Sequence, residues 1–263
     1  MRKYADLAMI GIKEHTAYLN SVWANFLAKI VYLYMQFALW NALFYSNNVG
    51  SIPLSHDEAI RYIIVATVIS TFMECDVIAW INGQIQSGDV ANQLIRPIDY
   101  KFMIFAKHIG TSVARFMIYT LPLGILITVF YRGNLFFKEQ LVYGILSILL
   151  AYVIQFLYSL IIGLMAFWLI VTWPLNMLLA AIYKLLSGSW IPTAMFPAFL
   201  AKINLFLPFR AIYAIPVTII TTPMSFENIC ENLFIQLVWL SVLFLISEAV
   251  WVVGKNKLVV QGG

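Results

Sequence analysis

The 263-residue chain is 62% hydrophobic, 16% aromatic and only 11% charged, with a mean hydropathy of +0.87. Soluble domains are about 45–50% apolar and about 25% charged, which excludes a water-soluble enzyme, a nucleic-acid-binding protein and a disordered protein. The net charge of +4 is then explained by Lys and Arg in cytoplasmic loops. We predict an all-α polytopic membrane protein whose single domain covers residues 1–263.

The N-terminal segment, residues 1–25, predicts a helix that lies in the membrane interface. Apolar residues such as Leu7 and Val22 recur there at helical spacing, whereas Lys3 and Lys13 occupy other faces. The segment has a basic start but no short apolar core with a cleavage site, so a cleavable signal peptide is not expected. An ordinary cap that faces water is the alternative.

Six apolar segments predict spans, since a spanning helix needs about 20 mostly apolar residues. The segments run over about residues 27–44, 59–80, 102–131, 141–172, 175–187 and 229–253. Lys29 is expected to snorkel at the inner end of the first span, and Pro122 to kink the third. Lys and Arg near the span ends favour a plasma-membrane protein with both termini in the cytoplasm.

Residues 188–223 are strongly apolar, yet no uninterrupted piece is long enough to span. Five prolines divide this segment: Pro192, Pro197, Pro208, Pro216 and Pro223. Broken helix at membrane depth is tolerated only where protein or a water-filled cavity satisfies the backbone. We therefore predict one or two short re-entrant helices that enter from the outer face. A seventh and an eighth span are the alternative.

No motif for chemistry is present in the chain. His15, His56 and His108 lie in different segments, and none has a partner at the spacing of metal ligands. The sequence has no phosphate-binding Gly-x-x-x-x-Gly-Lys-Ser/Thr loop. We therefore expect no catalytic, metal-binding or cofactor-binding residues, and any ATP must bind to another polypeptide.

Several ionisable residues fall inside the predicted spans, where such groups are costly. They are Glu74, Asp76, Arg115, Lys184 and Glu248. We expect the three carboxylates to pair with Lys101, Lys107 or Arg115. Lys184 is expected either to face a translocation path or to snorkel outward.

Residues 81–100 follow the second predicted span on the cytoplasmic side. The segment begins with polar and Gly residues, then predicts a short helix with Val90, Leu94 and Ile95 as apolar anchors before Pro97 ends it. A short amphipathic helix can insert into a groove on a partner protein. A turn that touches only lipid headgroups is the alternative.

Two motifs in this order resemble the permeases of ATP-binding-cassette (ABC) exporters. The first is Ser87-Gly88-Asp89 followed by Leu94-Ile95-Arg96-Pro97, after the second span. The second lies between the fifth and sixth spans and comprises Ser187–Pro192, Met195–Pro197 and Leu207–Arg210. The resemblance covers nearly the whole chain. It is closest to the type II, ABC-2-like exporters with paired permeases, including the daunorubicin-resistance-like branch.

This resemblance implies a permease that moves an amphipathic or hydrophobic drug, lipid or peptide out of the bacterial cytoplasm. It implies that ATP and magnesium bind to separate ABC ATPase subunits, and that a second permease copy or paralogue completes a dimer. Membrane lipid is the other expected partner, and nucleic acid is not expected. A non-transport membrane protein that sequesters a peptide or lipid, such as an immunity or assembly factor, is the alternative.

The same resemblance implies two functional regions. The ATPase-coupling contact would be formed by Gly88, Asp89, Leu94, Arg96 and Pro97. The outer gate would be shaped by Gly188, Pro192, Pro197 and Pro208. In this arrangement the movement of the ATPases reaches the permease through the N-terminal interfacial helix and the 81–100 segment.

Overall fold

The computed structural model describes residues 2–17, 19–45, 53–131, 133, 135–169 and 173–261. Within these ranges the chain forms helices and turns without a strand. The helices are α1 (Arg2–Thr16), α2 (Leu19–Tyr45), α3 (His56–Met73), α4 (Val77–Gln86), α5 (Asp89–Leu94), α6 (Tyr100–Arg115), α7 (Leu121–Phe130), α8 (Leu141–Leu164), α9 (Trp173–Leu186), α10 (Ala198–Leu205), α11 (Ala214–Thr221) and α12 (Phe226–Gln261). The predicted all-α class is confirmed.

In the part of the chain that the structure describes, five helical runs are long and apolar enough to cross a membrane. They are Asn20–Tyr45, His56–Gln86, Tyr100–Phe130, Lys138–Phe167 and Phe226–Lys257. The remaining predicted span corresponds to α9, which has 14 residues. At 1.5 Å per residue α9 is about 21 Å long, against a hydrocarbon core of about 30 Å. The six-span count therefore stays a prediction. The predicted end of the fourth span, at residue 172, lies outside the described residues.

The second predicted span begins at His56, three residues before the expected start at residue 59, and it is not continuous. The hydroxyl of Ser55 accepts a hydrogen bond from the Glu58 amide, and the Glu58 carboxylate accepts one from the Ser55 amide at 2.9 Å. This capping box fixes the start of α3. The helix then stops at Met73 and restarts at Val77, so residues 74–76 form a break (the Glu74–Asp76 break) that hydropathy did not predict.

A π-helical segment precedes Pro122, where we expected a kink. Residues Phe116–Thr120 form this segment between α6 and α7, and Pro122 occupies the first turn of α7. A proline removes one helical hydrogen bond and collides with the carbonyl four residues earlier. A local change from α to π geometry accommodates both effects within one continuous apolar run.

The helix α1 covers the first part of the predicted interfacial segment and packs along α6. Gly11 and Gly110 face each other's helix so closely that a Cβ atom on Gly110 would overlap the Ala8 carbonyl oxygen. An ion pair of 2.8 Å between Lys107 and Glu14 joins the same two helices. The close approach of two backbones through small residues is a common form of helix packing in membranes.

The 188–223 segment contains short helices, none of which is long enough to be a seventh or eighth span. It comprises a 3-10 turn at Thr193–Met195, α10, a second 3-10 turn at Pro208–Ala211, and α11. The eight-residue helices α10 and α11 are each about 12 Å long. α11 is buried against α3 and α8, and its Ile220 contacts the position of Gly144 on α8.

Replacement of Gly110 by Val is expected to loosen α1. The added carbons meet backbone rather than a flexible side chain, and overpacking of this kind costs about 1–3 kcal/mol. We expect a lower apparent Tm in detergent and faster tryptic cleavage after the exposed Lys13. Gly124→Val is the matched control, because no atom lies within 4 Å of its Cβ position. Equal cleavage rates in the two variants would contradict this packing.

Candidate functional site

A central cavity of about 990 Å³ lies between α1, α2, α3, α6, α8 and α9 and reaches the Glu74–Asp76 break. Among the described residues, six Asp, Glu, Lys and Arg side chains of both signs line it: Glu14, Lys29, Glu74, Asp76, Arg115 and Lys184. Six aromatic rings also line it: Tyr32, Tyr119, Tyr158, Tyr183, Trp190 and Tyr213. Sequence reasoning named the charges within the spans but did not predict that they share one cavity.

Arg115 is the central group of the charged network. It lies midway along the apolar run Tyr100–Phe130, and its side chain is only 4% exposed. Its guanidinium donates hydrogen bonds to the Glu74 carbonyl oxygen and to the Asp76 carboxylate. The predicted pairing of Asp76 with Arg115 is confirmed.

Glu74 has a different main partner from those that the sequence suggested. Its carboxylate lies 2.8 Å from the ammonium group of Lys29 on α2, and 4.0 Å from Nε of Arg115. Lys29 was expected to snorkel, but it turns toward this carboxylate and lies over the ring of Tyr119. Glu248 on α12 pairs with Lys101, as predicted, outside the cavity.

The exposure of these groups is unequal. The side chains of Arg115 and Lys29 are 4% and 19% exposed, whereas those of Asp76 and Glu74 are 71% and 50% exposed. The cations therefore lie behind the carboxylates. At this end of the cavity, the charge that an incoming molecule meets is negative.

His15 contributes a neutral group to the same end of the cavity. Burial, with a smaller contribution from Arg115, lowers the pKa of His15 below its ordinary value. The imidazole is therefore uncharged at pH 7, and its Nε2 is buried without a hydrogen-bond partner in the described part of the chain. Among the described residues, no cluster of three or more His, Cys, Asp or Glu side chains suits a metal ion.

The predicted coupling residues lie together on one exposed turn. Gly88 has a φ of +77° and precedes α5, and the Asp89 carboxylate accepts a 2.8 Å hydrogen bond from Ser87. Leu94 is 39% exposed, and Arg96 and Pro97 are also exposed.

One expected anchor of this turn is not available to a partner. Val90 is completely buried, whereas Ile95 is 81% exposed. Val90 packs into the hydrophobic core beside α4 and holds α5 in position. Leu94 and Ile95 are the apolar side chains that a partner can contact.

The predicted gate residues all lie in the 188–223 segment, and none of them lines the cavity. Gly188 has a φ of +87°, and its carbonyl oxygen accepts a 2.9 Å hydrogen bond from the Tyr62 hydroxyl. Pro192 is buried, whereas Pro197 caps α10 and Pro208 begins a 3-10 turn. Ser189, Trp190 and Tyr213 of this segment line the cavity.

A family model described as ABC-2 family transporter protein matches residues 30–262. The chain belongs to this family. No curated protein matches it. Permeases of this family are non-catalytic membrane subunits that work with ABC ATPases, which agrees with the several apolar helices described above. The match covers the 81–100 and 188–223 segments and most of the cavity-lining helices, but it leaves out α1 and the start of α2, including Glu14 and Lys29 of the cavity.

The charged network of the permease predicts unequal effects of its two partners. Asp76→Leu leaves the guanidinium of Arg115 buried without its main counter-charge. We expect a loss of about 1–3 kcal/mol, between the values for a surface ion pair and a fully buried one, because Arg115 is buried but Asp76 is largely exposed. Arg115→Met removes the buried charge itself and leaves carboxylates that water reaches, so the loss is expected to be smaller.

Thermal unfolding in detergent measures this difference. We expect the apparent Tm to fall further in Asp76→Leu than in Arg115→Met, and the double variant to resemble Arg115→Met. An equal or larger fall in Arg115→Met would contradict the view that the exposed carboxylates stabilise a buried cation.

Proposed function

We propose that the permease exports an amphipathic or hydrophobic molecule from the bacterial cytoplasm, driven by ATP hydrolysis on separate ABC ATPase subunits. ATP and magnesium would bind only to those subunits. The main observation in favour is that one helix, α4, connects the exposed turn at Gly88–Pro97 to the Glu74–Asp76 break, whose side chains line the charged cavity.

The helix α4 is suited to transmit a movement. It has 10 residues, or about 15 Å, and joins the Glu74–Asp76 break to the turn that the ATPase would contact. Its Ile81 is fully buried and packs against Gly163 of α8. The break separates α4 from α3. We therefore expect a movement of the ATPase to tilt α4 without moving the whole span, and Asp76, at the N-terminal end of α4, would move with it.

We further propose six spans with both termini in the cytoplasm, with α9 as the short fifth span and α10 and α11 as re-entrant helices that enter from outside. The 188–223 segment would then close the exit, with Gly188, Pro192, Pro197 and Pro208 fixing its shape. A second permease copy or paralogue would complete a dimer, as in the paired-permease, daunorubicin-resistance-like branch. The two motifs that resemble that branch support this arrangement.

Partner recovery tests the proposal. The tagged permease is extracted from its native membrane in mild detergent, and mass spectrometry identifies the proteins that follow it. We expect an ABC ATPase at near-equal stoichiometry. Recovery of the chain without a nucleotide-binding partner in several detergents would instead favour the alternative, a protein that sequesters a peptide or lipid.

Arg96→Glu is expected to weaken the coupling contact without affecting insertion. Arg96 is exposed on the turn, so charge reversal leaves the fold intact but opposes a partner adapted to a cation. We expect at least a fivefold loss of co-purified ATPase and of permease-dependent ATP hydrolysis. Lys138→Glu, at an exposed lysine on the connection between α7 and α8, is the control. Equal losses in both variants would count against the assigned contact.

Cysteine labelling tests the topology. In a Cys75→Ser, Cys230→Ser background, Lys202→Cys on α10 is expected to react with a membrane-impermeant maleimide in intact cells. Asn92→Cys on α5 is expected to react only after permeabilisation. Both positions are exposed, and the proposed topology places them on opposite sides of the membrane. Labelling of Asn92→Cys in intact cells would reverse the proposed orientation.

A further inference from the structure

We propose that the central cavity binds a lipophilic organic cation that carries N–H donors, such as an alkyl or aryl ammonium, with its charge beside Glu74 and Asp76. This inference rests on the proposed function, since it names the class of molecule that the permease would carry. The cavity volume of about 990 Å³ lies within the range of about 300–1,000 Å³ that is typical of sites for drug-sized ligands.

The sign of the accessible charge is the first argument. The carboxylates of Glu74 and Asp76 are at least half exposed, whereas the side chains of Lys29 and Arg115 lie mostly buried behind them. A carboxylate has about four acceptor positions, so the bonds to Lys29 and Arg115 leave some of them open toward the cavity. A ligand with N–H donors and a positive charge fits these positions.

An unpartnered acceptor is the second and independent argument. Gln155 of α8 lines the cavity and is 6% exposed. Its Oε1 has no hydrogen-bond partner among the described residues. Leaving a buried polar atom unpaired costs free energy. Because Gln155 lines the cavity, a rotation of its amide toward the cavity would let a bound donor supply the bond that Oε1 lacks.

The aromatic wall is the third argument. Tyr158 and Tyr183 stack with their ring centroids 5.6 Å apart, and Tyr213 lies beside Tyr183 at 6.1 Å. Lys29 and Lys184 already lie over the rings of Tyr119 and Trp190, so the cavity stabilises cations on aromatic faces. The apolar part of an organic cation would pack against the tyrosine rings.

An anionic ligand is the competing possibility, and Lys184 is the residue that would favour it. Lys184 lines the cavity, is exposed, and forms no ion pair with a carboxylate in the described part of the chain. It lies over the ring of Trp190, however, and the other two cations of the cavity are already paired. One lysine at the edge is weaker support than two accessible carboxylates and an unpaired acceptor.

Direct binding to the purified permease, together with any subunits that follow it, tests the inference without ATP. The probes are rhodamine 6G, a cation with N–H groups, and fluorescein, an anion of similar shape, each followed by fluorescence anisotropy. We expect rhodamine 6G to bind at least tenfold more tightly than fluorescein. Equal affinities, tighter binding of fluorescein, or no binding of rhodamine 6G would overturn the proposal.

Charge-neutralising variants locate the site. Glu74→Gln keeps the shape of the side chain, and we expect it to weaken rhodamine 6G binding about tenfold. Asp76→Asn, which retains an acceptor for Arg115, should weaken it similarly, and Gln155→Leu should weaken it severalfold. Glu248→Gln is the matched control, because Glu248 is also paired with a lysine but lies outside the cavity. We expect its affinity to remain within twofold of the wild type.

The results separate this inference from the proposed function. If Glu74→Gln and Asp76→Asn both bind rhodamine 6G as tightly as the wild type, the cation site is wrong, even where an ABC ATPase co-purifies. If the variants lose binding as expected but no ATPase is recovered, the cation site stands and the exporter proposal fails. An unchanged apparent Tm in either variant ensures that its loss of binding reflects the site rather than the fold.

Discussion

The guanidinium of Arg115 makes a broken helix possible inside a membrane-spanning bundle. In a bilayer every backbone polar group must be satisfied by the protein itself or by water in a cavity. The Glu74–Asp76 break frees carbonyl groups, and Arg115 donates to that of Glu74. The buried guanidinium in turn requires a counter-charge, which Asp76 supplies from the same break. The break, the arginine and the carboxylate therefore depend on one another.

This arrangement also explains why a charged cavity exists in so apolar a protein. Because α3 ends at Met73 and α4 begins at Val77, Glu74 and Asp76 lie in the break, where their side chains line the cavity. The same break makes α4 a separate helix between the cavity and the exposed turn at Gly88–Pro97. The chain thus runs from the cavity to that turn through one short helix, and our proposed coupling depends on this connection.

The 188–223 segment follows the same physical rule. Its prolines prevent a long helix, so side chains from outside the segment and within it satisfy the backbone. Tyr62 donates to the carbonyl of Gly188, and Gln236 donates to that of Ala211 at 2.8 Å. Asn204 of the segment donates to the carbonyl of Leu186, at the end of α9. Gln236 is itself fully buried, and Ser147 donates to its Oε1. The segment is thereby anchored to α3, α8 and α12.

The sequence by itself determined the class of protein, the approximate positions of the apolar runs, the short helix that Pro97 follows, and the non-spanning character of residues 188–223. These features depend on local composition, on the length of a bilayer-spanning helix and on the restrictions of proline. Only the tertiary structure decided the break after Met73, the pairing of Lys29 with Glu74, the burial of Val90 and the shared cavity. Each of these features depends on side chains far apart in the chain, such as Arg115 and Glu74. Hydropathy and helical period do not encode which distant group satisfies a given backbone carbonyl or charge.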